Sequence, residues 1–409
     1  MTESDARSRA RSAEVLGGPP HREGSTIATP VRTRSSPPVA PRSARPAPLL
    51  LADRFPALAA LPRAELTTLP SPVERVTLPD GAALWVKRDD LDAASCGGNK
   101  VRALELLLGD VRPGDTVLTL GGVGSTHVLA TATHARRLGA RVVALRWAHE
   151  TTPLARAVAR RAAALCDRVI ETRTVPGAFV RLAALRAHAR LGRRVGGPAT
   201  HYVPLGGTTP LGVLGHVNAA LELAAQVAAG ELPAPRRVVV PMGTAGTAAG
   251  LALGFAIAGL DATVVGARVG PRLAVTRRRA LRLARASARL IERHTGARVP
   301  AVDPARLVVV HDVYGGAYGR PLAEGERAAT LLREAAALTL DSTYAAKAAA
   351  AALRMARDHE GPTLFWMTFD GREFVNGEGE GAGWRGGGLS ADETQKGGKD
   401  SKGGMRDEE

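Results

Sequence analysis

Lys100 is the residue around which chemistry can be argued. It stands in Cys96-Gly97-Gly98-Asn99-Lys100-Val101-Arg102, where two glycines and an asparagine break the chain before an apolar run (Val101, Leu104, Leu106, Leu107, Leu108). That order predicts a loop delivering a single amine into the first turn of a helix. The positive end of the helix dipole and poor solvent access both disfavour the ammonium form. The pKa then falls toward the nucleophilic amine that Schiff-base chemistry requires. Read alone, the stretch more often marks a solvated lysine in a first helical turn, so the rest of the chain has to decide.

Three Gly/Ser/Thr-rich stretches follow apolar strands and precede helices, where backbone amides point outward in a doubly wound sheet. In Gly121-Gly122-Val123-Gly124-Ser125-Thr126-His127 the glycines permit close backbone approach and Ser125 or Thr126 can cap a helix. Free amides with hydroxyls there suit a carboxylate; the plain alternative is an ordinary capped helix start. In Gly243-Thr244-Ala245-Gly246-Thr247 the amides and threonine hydroxyls can hold a phosphate. The stretch lacks the Gly-Lys-Ser/Thr ending of a nucleoside-triphosphate loop, and its spacing is not that of a dinucleotide site. The third, Gly206-Gly207-Thr208-Thr209, taken alone reads as a glycine-assisted turn.

Of four tyrosines, three lie close in sequence: Tyr314, Tyr318 and Tyr344. Gly315-Gly316-Ala317-Tyr318-Gly319-Arg320-Pro321 excludes regular structure, so Tyr318 belongs to a loop. Tyr344 opens a helix just after Asp341-Ser342-Thr343. A phenol facing a cleft can act as general acid or base, whereas an isolated tyrosine is more often a core residue with its hydroxyl bonded. Thr368 closes the apolar strand Thr363-Leu364-Phe365-Trp366, where a strand end delivers one hydroxyl.

The elements that must position these groups alternate. Strands are predicted at 84–86, 116–120, 142–147, 168–170, 202–205, 238–240, 264–268 and 363–366. Helices are predicted after Lys100, over 125–138, 153–165, 179–191 and 212–228, after Thr247, and over 275–294. Continuous apolar strands alternating with helices describe parallel sheets covered on both faces, too many units for one mononucleotide fold. Two α/β lobes follow: residues 49–109 with 206–376 in a large lobe, and 110–205 in a small one. The Arg/Ser/Pro-rich residues 1–48 and the Gly-rich, charged residues 377–409 lack apolar periodicity and are expected to be disordered.

Composition excludes several classes. The 409 residues carry a formal charge of +16, with arginines scattered through helical stretches and few aromatics between them. That is compositional bias more than a nucleic-acid footprint, and the basic face at Arg277, Arg278, Arg279, Arg282, Arg285 and Arg289 reads as solvated. Two cysteines allow neither a disulfide framework nor a metal-binding cluster. No uninterrupted apolar run reaches membrane-span length and no signal-peptide core is present, so a cytoplasmic enzyme with no metal, nucleic-acid or membrane partner is expected.

Taken together and in order, these motifs resemble the D-cysteine desulfhydrase / 1-aminocyclopropane-1-carboxylate deaminase family, pyridoxal-phosphate enzymes of the tryptophan-synthase-β fold (fold type II). They are Gly-Gly-Asn-Lys-Val-Arg, Gly-Gly-x-x-Ser-x-His, Gly-Gly-Thr-Thr, Gly-Thr-Ala-Gly-Thr, the Tyr318 loop and Tyr-x-x-Lys-Ala. The resemblance covers about residues 60 to 375. It implies that Lys100 holds pyridoxal 5'-phosphate covalently and moves the proton at the substrate α-carbon. It also implies that Gly243, Thr244, Ala245, Gly246 and Thr247 bind the phosphate, that Asn99 contacts the cofactor and that Thr368 bonds the pyridine nitrogen. Ser125, Thr126 and His127 would bind the substrate carboxylate, Ser125 counting with Lys100, Tyr318 and Tyr344 among the catalytic residues.

The chain departs from the family at Thr126, where an asparagine is common, and at Ala345, where the deaminases carry a glutamate. It departs again at Trp366-Met367-Thr368-Phe369-Asp370, where the family often has His-Thr-Gly-Gly. The absence of the glutamate sets the chain on the desulfhydrase side. The implied reaction is α,β-elimination on a small amino acid, giving a 2-oxo acid and ammonia. Alternatives are β-replacement of the cysteine-synthase type and a cofactor-binding member without turnover. A homodimer is the family's usual habit.

Overall fold

A computed structural model describes residues 49–194, 197–358, 360–371 and 374. The disorder expected for 1–48 and 377–409 concerns residues outside that set. In chain order the elements are α1 (Leu50–Arg54), β1 (Val73–Thr77), β2 (Ala83–Arg88), α2 (Asn99–Leu107), β3 (Thr116–Gly122), α3 (Thr126–Arg137), β4 (Arg141–Trp147), α4 (Pro153–Leu165), β5 (Arg168–Thr172), α5 (Val175–Arg194), β6 (Thr200–Val203), α6 (Pro210–Ala228), β7 (Arg237–Met242), α7 (Gly246–Ala258), β8 (Thr263–Arg268), α8 (Arg277–Thr295), β9 (Leu307–Val310), α9 (Ala323–Ala336), α10 (Ala345–Arg357) and β10 (Thr363–Met367).

Two sheets result. One has six strands in the order β1-β2-β10-β7-β8-β9, and the other four in the order β5-β4-β3-β6. Every pairing is parallel except that of β1 with β2. Side chains alternate across the large sheet as a pleat dictates. Val238, Val240, Leu364 and Trp366 pack toward α6, α7 and α8, while Val239, Phe365 and Met367 pack toward α9 and α10. In the smaller sheet Val117 and Val142 meet α3 and α4, and Leu118, Leu120 and Leu145 meet α5. Both sheets are therefore covered on two faces, which is why their strands read as unbroken apolar runs.

The apolar α7 is buried along its length from Gly246 to Phe255. It lies close against α6 because Gly250 carries no side chain: a Cβ there would strike His216. Truncating a core residue such as Leu251 or Leu253 to alanine would cost about 2–5 kcal/mol. The 19-residue α6 is long and apolar enough, by length and composition, to cross a membrane. It is a core helix here, buried against α2, α7 and α8. Its apolar residues are interrupted by His216, Asn218, Glu222 and Gln226, so it is not an uninterrupted apolar run.

The structure also adds elements. β1 (Val-Glu-Arg-Val-Thr) is half-polar because it forms a sheet edge, and its antiparallel pairing breaks the parallel pattern. β9 is only four residues long, and α9 follows the Tyr318 loop. β6 ends at Val203 because the chain turns through a short 3-10 segment at Leu205–Gly207.

Candidate active site

The amine end of Lys100 is placed by a helix that is held from below. Gly98 precedes α2 with φ of 119°, and a Cβ on it would run into the Thr368 carbonyl. That same carbonyl accepts from the Asn99 amide at 3.3 Å, so the end of β10 lies against the start of α2. Asp92 accepts from the Gly98 amide at 2.9 Å. Lys100 is then the second helical residue, half-buried. Desolvation lowers its pKa to about 8, and the Asp341 carboxylate opposes the shift.

Gly243 to Thr247 turn between β7 and the first turn of α7. Ala245 takes φ of 72° there, a left-handed conformation costing an alanine about 1–2 kcal/mol. The first amides of a helix have no partner within it, so this turn offers free donors, as an anion site requires. Asn99 Nδ2 donates to Thr247 Oγ1 at 2.7 Å, which ties the lysine helix to this loop. His216 Nε2 is 3.5 Å from the same hydroxyl, and Thr208 Oγ1 donates to Thr244 Oγ1 at 2.6 Å. The glycine-assisted turn expected at 206–209 is present, with a contact the sequence did not indicate. Gly206 and Gly207 do turn, at φ of 69° and 67°, but they bring Thr208 onto the phosphate-type loop while Thr209 caps α6.

Ser125 caps α3, its hydroxyl accepting from the Val128 amide at 3.4 Å, and Thr126 is the first helical residue. His127 is buried, with Nε2 3.2 Å from Thr119 Oγ1. Burial, and then the charge of Lys100, lower its pKa to about 3, with the Pro204 carbonyl opposing. His216 is lowered to about 3 by burial, Lys100 and Arg102. Two neutral imidazoles thus flank the amine electrostatically, one from the α3 side and one from α6.

The hydroxyls of Tyr318 and Tyr344 are hydrogen-bonded to each other, the rings edge-to-face with centroids 6.1 Å apart. Burial raises the pKa of both phenols. Tyr344 Cε1 lies 3.8 Å from the position of a Cβ on Gly243, so the pair borders the phosphate-type loop. Asp341 fixes Tyr344: its carboxylate accepts from the amides of Thr343, Tyr344 and Ala345 at 3.0, 2.6 and 3.0 Å. Burial raises the Asp341 pKa and the three amides oppose. Tyr314 points elsewhere, its ring under the Arg268 guanidinium at 4.1 Å and its carbonyl accepting from Lys347 Nζ at 2.7 Å.

The structure therefore brings Lys100, Asn99, the 243–247 loop, Thr368, Tyr318 and Tyr344 around one centre, with His127 within electrostatic reach. Ser125 and Thr126 join through their helix. Sequence reasoning missed His216 and Asp341, and left Thr208 as part of a turn. For Asp341 the signal was a helix cap three residues before Tyr344. For His216 it was only a polar residue inside an apolar helix.

Residues 65–368 match the family of pyridoxal-phosphate dependent enzymes, and the chain belongs to that family. Within it, the chain falls in the D-cysteine desulfhydrase / 1-aminocyclopropane-1-carboxylate deaminase group. It is 40% identical over 324 residues to nocardicin C-9' epimerase of Nocardia uniformis subsp. tsuyamanensis, covering 77% of this chain and 95% of the relative. It is 32% identical over 326 residues to D-cysteine desulfhydrase of Salmonella choleraesuis (strain SC-B67), covering 76% and 94%. A solved ACC deaminase homologue superposes with a TM-score of 0.64 at 28% identity, over 78% of this chain and 94% of that one.

The cofactor of this family fits the residues present. A desolvated amine stands at Lys100, and a strained amide loop at a helix start is lined by three threonine hydroxyls, from Thr208, Thr244 and Thr247.

Proposed function

We propose that Lys100 carries pyridoxal phosphate and that the protein removes the α-proton of a small amino acid, expelling a β-substituent to give a 2-oxo acid and ammonia. The observation that carries this reading is a lysine amine lowered to about 8 on a helix that Asn99 ties to the phosphate-type loop, which a bonded pair of phenols borders. Bound pyridoxal phosphate supplies a carbonyl that condenses with amines and an electron sink for the α-carbon. The amides of Gly243 to Thr247 would hold its phosphate, Asn99 orients Thr247, and Thr368 would offer its hydroxyl to the pyridine nitrogen. Ser125 and the amides after it hold the substrate carboxylate. Lys100 moves the α-proton, and the Tyr318–Tyr344 pair holds a proton that can be delivered to a leaving group. Buried His127 and His216, kept neutral, do not compete with Lys100 for protons.

We also read the chain as divided between its sheets. Residues 49–109, with 206 to the end of the described residues, surround the larger sheet, and 110–205 surround the smaller.

A second reading is epimerisation, favoured by the 40% identity to an epimerase. It uses the same first step, after which the phenol pair returns a proton to the α-carbon from another direction. Incubating the holoenzyme in D2O with a panel of D- and L-amino acids separates the readings. Keto acid supports elimination; α-deuteration with inversion and no keto acid supports epimerisation. Neither exchange nor keto acid across the panel, with cofactor bound, contradicts both and favours a member without turnover.

A further inference from the structure

The loop after β4 carries a group that neither the sequence motifs nor the proposed roles use. His149 lies edge-to-face on Tyr318, with ring centroids 4.9 Å apart at 68°. Its ring also occupies the space above Gly122: a Cβ there would sit 2.7 Å from His149 Cδ2 and Nε2. Gly122 belongs to the glycine run leading to Ser125. The position of a Cβ on Gly319, next to Tyr318, is 3.2 Å from His149 Nδ1 and 2.8 Å from the Glu150 carbonyl. Glu150 and Arg320 form an ion pair at 3.4 Å between the same two loops. One imidazole thus touches the Ser125 loop on one side and the Tyr318 loop on the other.

Its orientation is fixed. Nδ1 lies 2.6 Å from the Glu150 carbonyl, which can only accept, so Nδ1 carries a hydrogen and Nε2 is turned toward Gly122. The ring can neither turn nor withdraw without breaking that bond and uncovering Tyr318.

We propose that His149 is a positioning residue: it holds the Tyr318 phenol against Tyr344 and couples that placement to the Ser125 loop. This rests on the role given to Tyr318 above. A ring held between the two loops aligns the phenol for the proton step while making little contribution to substrate affinity.

A double-mutant cycle tests it, using the full turnover that the panel shows, keto-acid release or inversion at the α-carbon, on the amino acid that turns over fastest. His149→Ala is expected to keep cofactor absorbance and KM, and to slow kcat for that turnover threefold to tenfold, the scale of one aromatic pair. Tyr318→Phe should slow it more. Adding His149→Ala to Tyr318→Phe should then cost less than twofold further. The same threefold-to-tenfold loss in both backgrounds would overturn the proposal while leaving the role of Tyr318 intact. A Tyr318→Phe enzyme as fast as wild type would remove both. If His149→Ala does not retain cofactor, the same cycle with His149→Asn, which keeps a donor for the Glu150 carbonyl but not the ring, gives the decision.

Discussion

Lys100 and Arg102 are cations two residues apart on α2, and the protein treats them in opposite ways. Arg102 is buried beneath the helix, donating to Asp89 at 2.6 and 2.9 Å and to Glu222 at 3.1 Å. Lys87 joins Glu222 at 2.6 Å, and Trp366 donates to Asp89 at 2.6 Å. Despite desolvation these carboxylates hold the guanidinium pKa well above its usual range, and Glu222 is itself lowered to about 2. Lys100, on the other side, has one opposing carboxylate acting through space and falls to about 8. Burial alone does not decide the charge state; partners do. The paired side anchors the helix to β2, β10 and α6, and the under-paired side is left reactive.

Several substitutions would break or sharpen that contrast. Lys100→Ala should remove covalent cofactor attachment and lower turnover by about 10³-fold or more, while leaving the fold intact by circular dichroism. Glu222→Ala should do the reverse. Leaving Lys87 and Arg102 buried without their shared acid costs about 3–5 kcal/mol in denaturant unfolding.

Acid titration should separate the two sides further. His127 and His216 have folded pKa values near 3, below the unfolded 6.5, so the unfolded chain takes protons first. Stability should therefore fall as pH drops from 6.5 toward 3, by up to about 1.4 kcal/mol per pH unit for each histidine. Glu222 adds its loss only between 4.5 and about 2. His216→Gln should flatten the slope above pH 4.5, and an unchanged slope would contradict the assignment. The smallest effect belongs to the strained turn: Ala245→Gly should stabilise the protein by about 1 kcal/mol, read as a higher Tm with cofactor retained.

Much of this was legible in sequence because it follows from local rules. The β-branched apolar runs alternate with Ala/Leu helices as two covered parallel sheets require. Gly98 and the glycines at 121–124 mark places where backbone geometry excludes a side chain. The residues that were not legible depend on neighbours far away in sequence. Asp341 matters because α10 brings it within electrostatic reach of Lys100, 241 positions earlier by numbering. Thr208 matters because a double glycine turn lays it on Thr244, and His149 because two loops close over it. β1 escaped notice because an edge strand can be half-polar, and Tyr314, grouped with the other tyrosines by proximity, turned toward Arg268.

The central claim is that one lysine, Lys100, carries the cofactor. Lys347 makes the test strict, since burial lowers its pKa to about 8 as well. Its amine, however, is bonded to the Tyr314 carbonyl at 2.7 Å and lies over the Tyr314 ring. Borohydride fixation of the holoenzyme followed by peptide mass mapping measures the answer directly. The account predicts the reduced cofactor on the peptide containing Lys100 alone; a modification at Lys347 or Lys87 with Lys100 unmodified would contradict it.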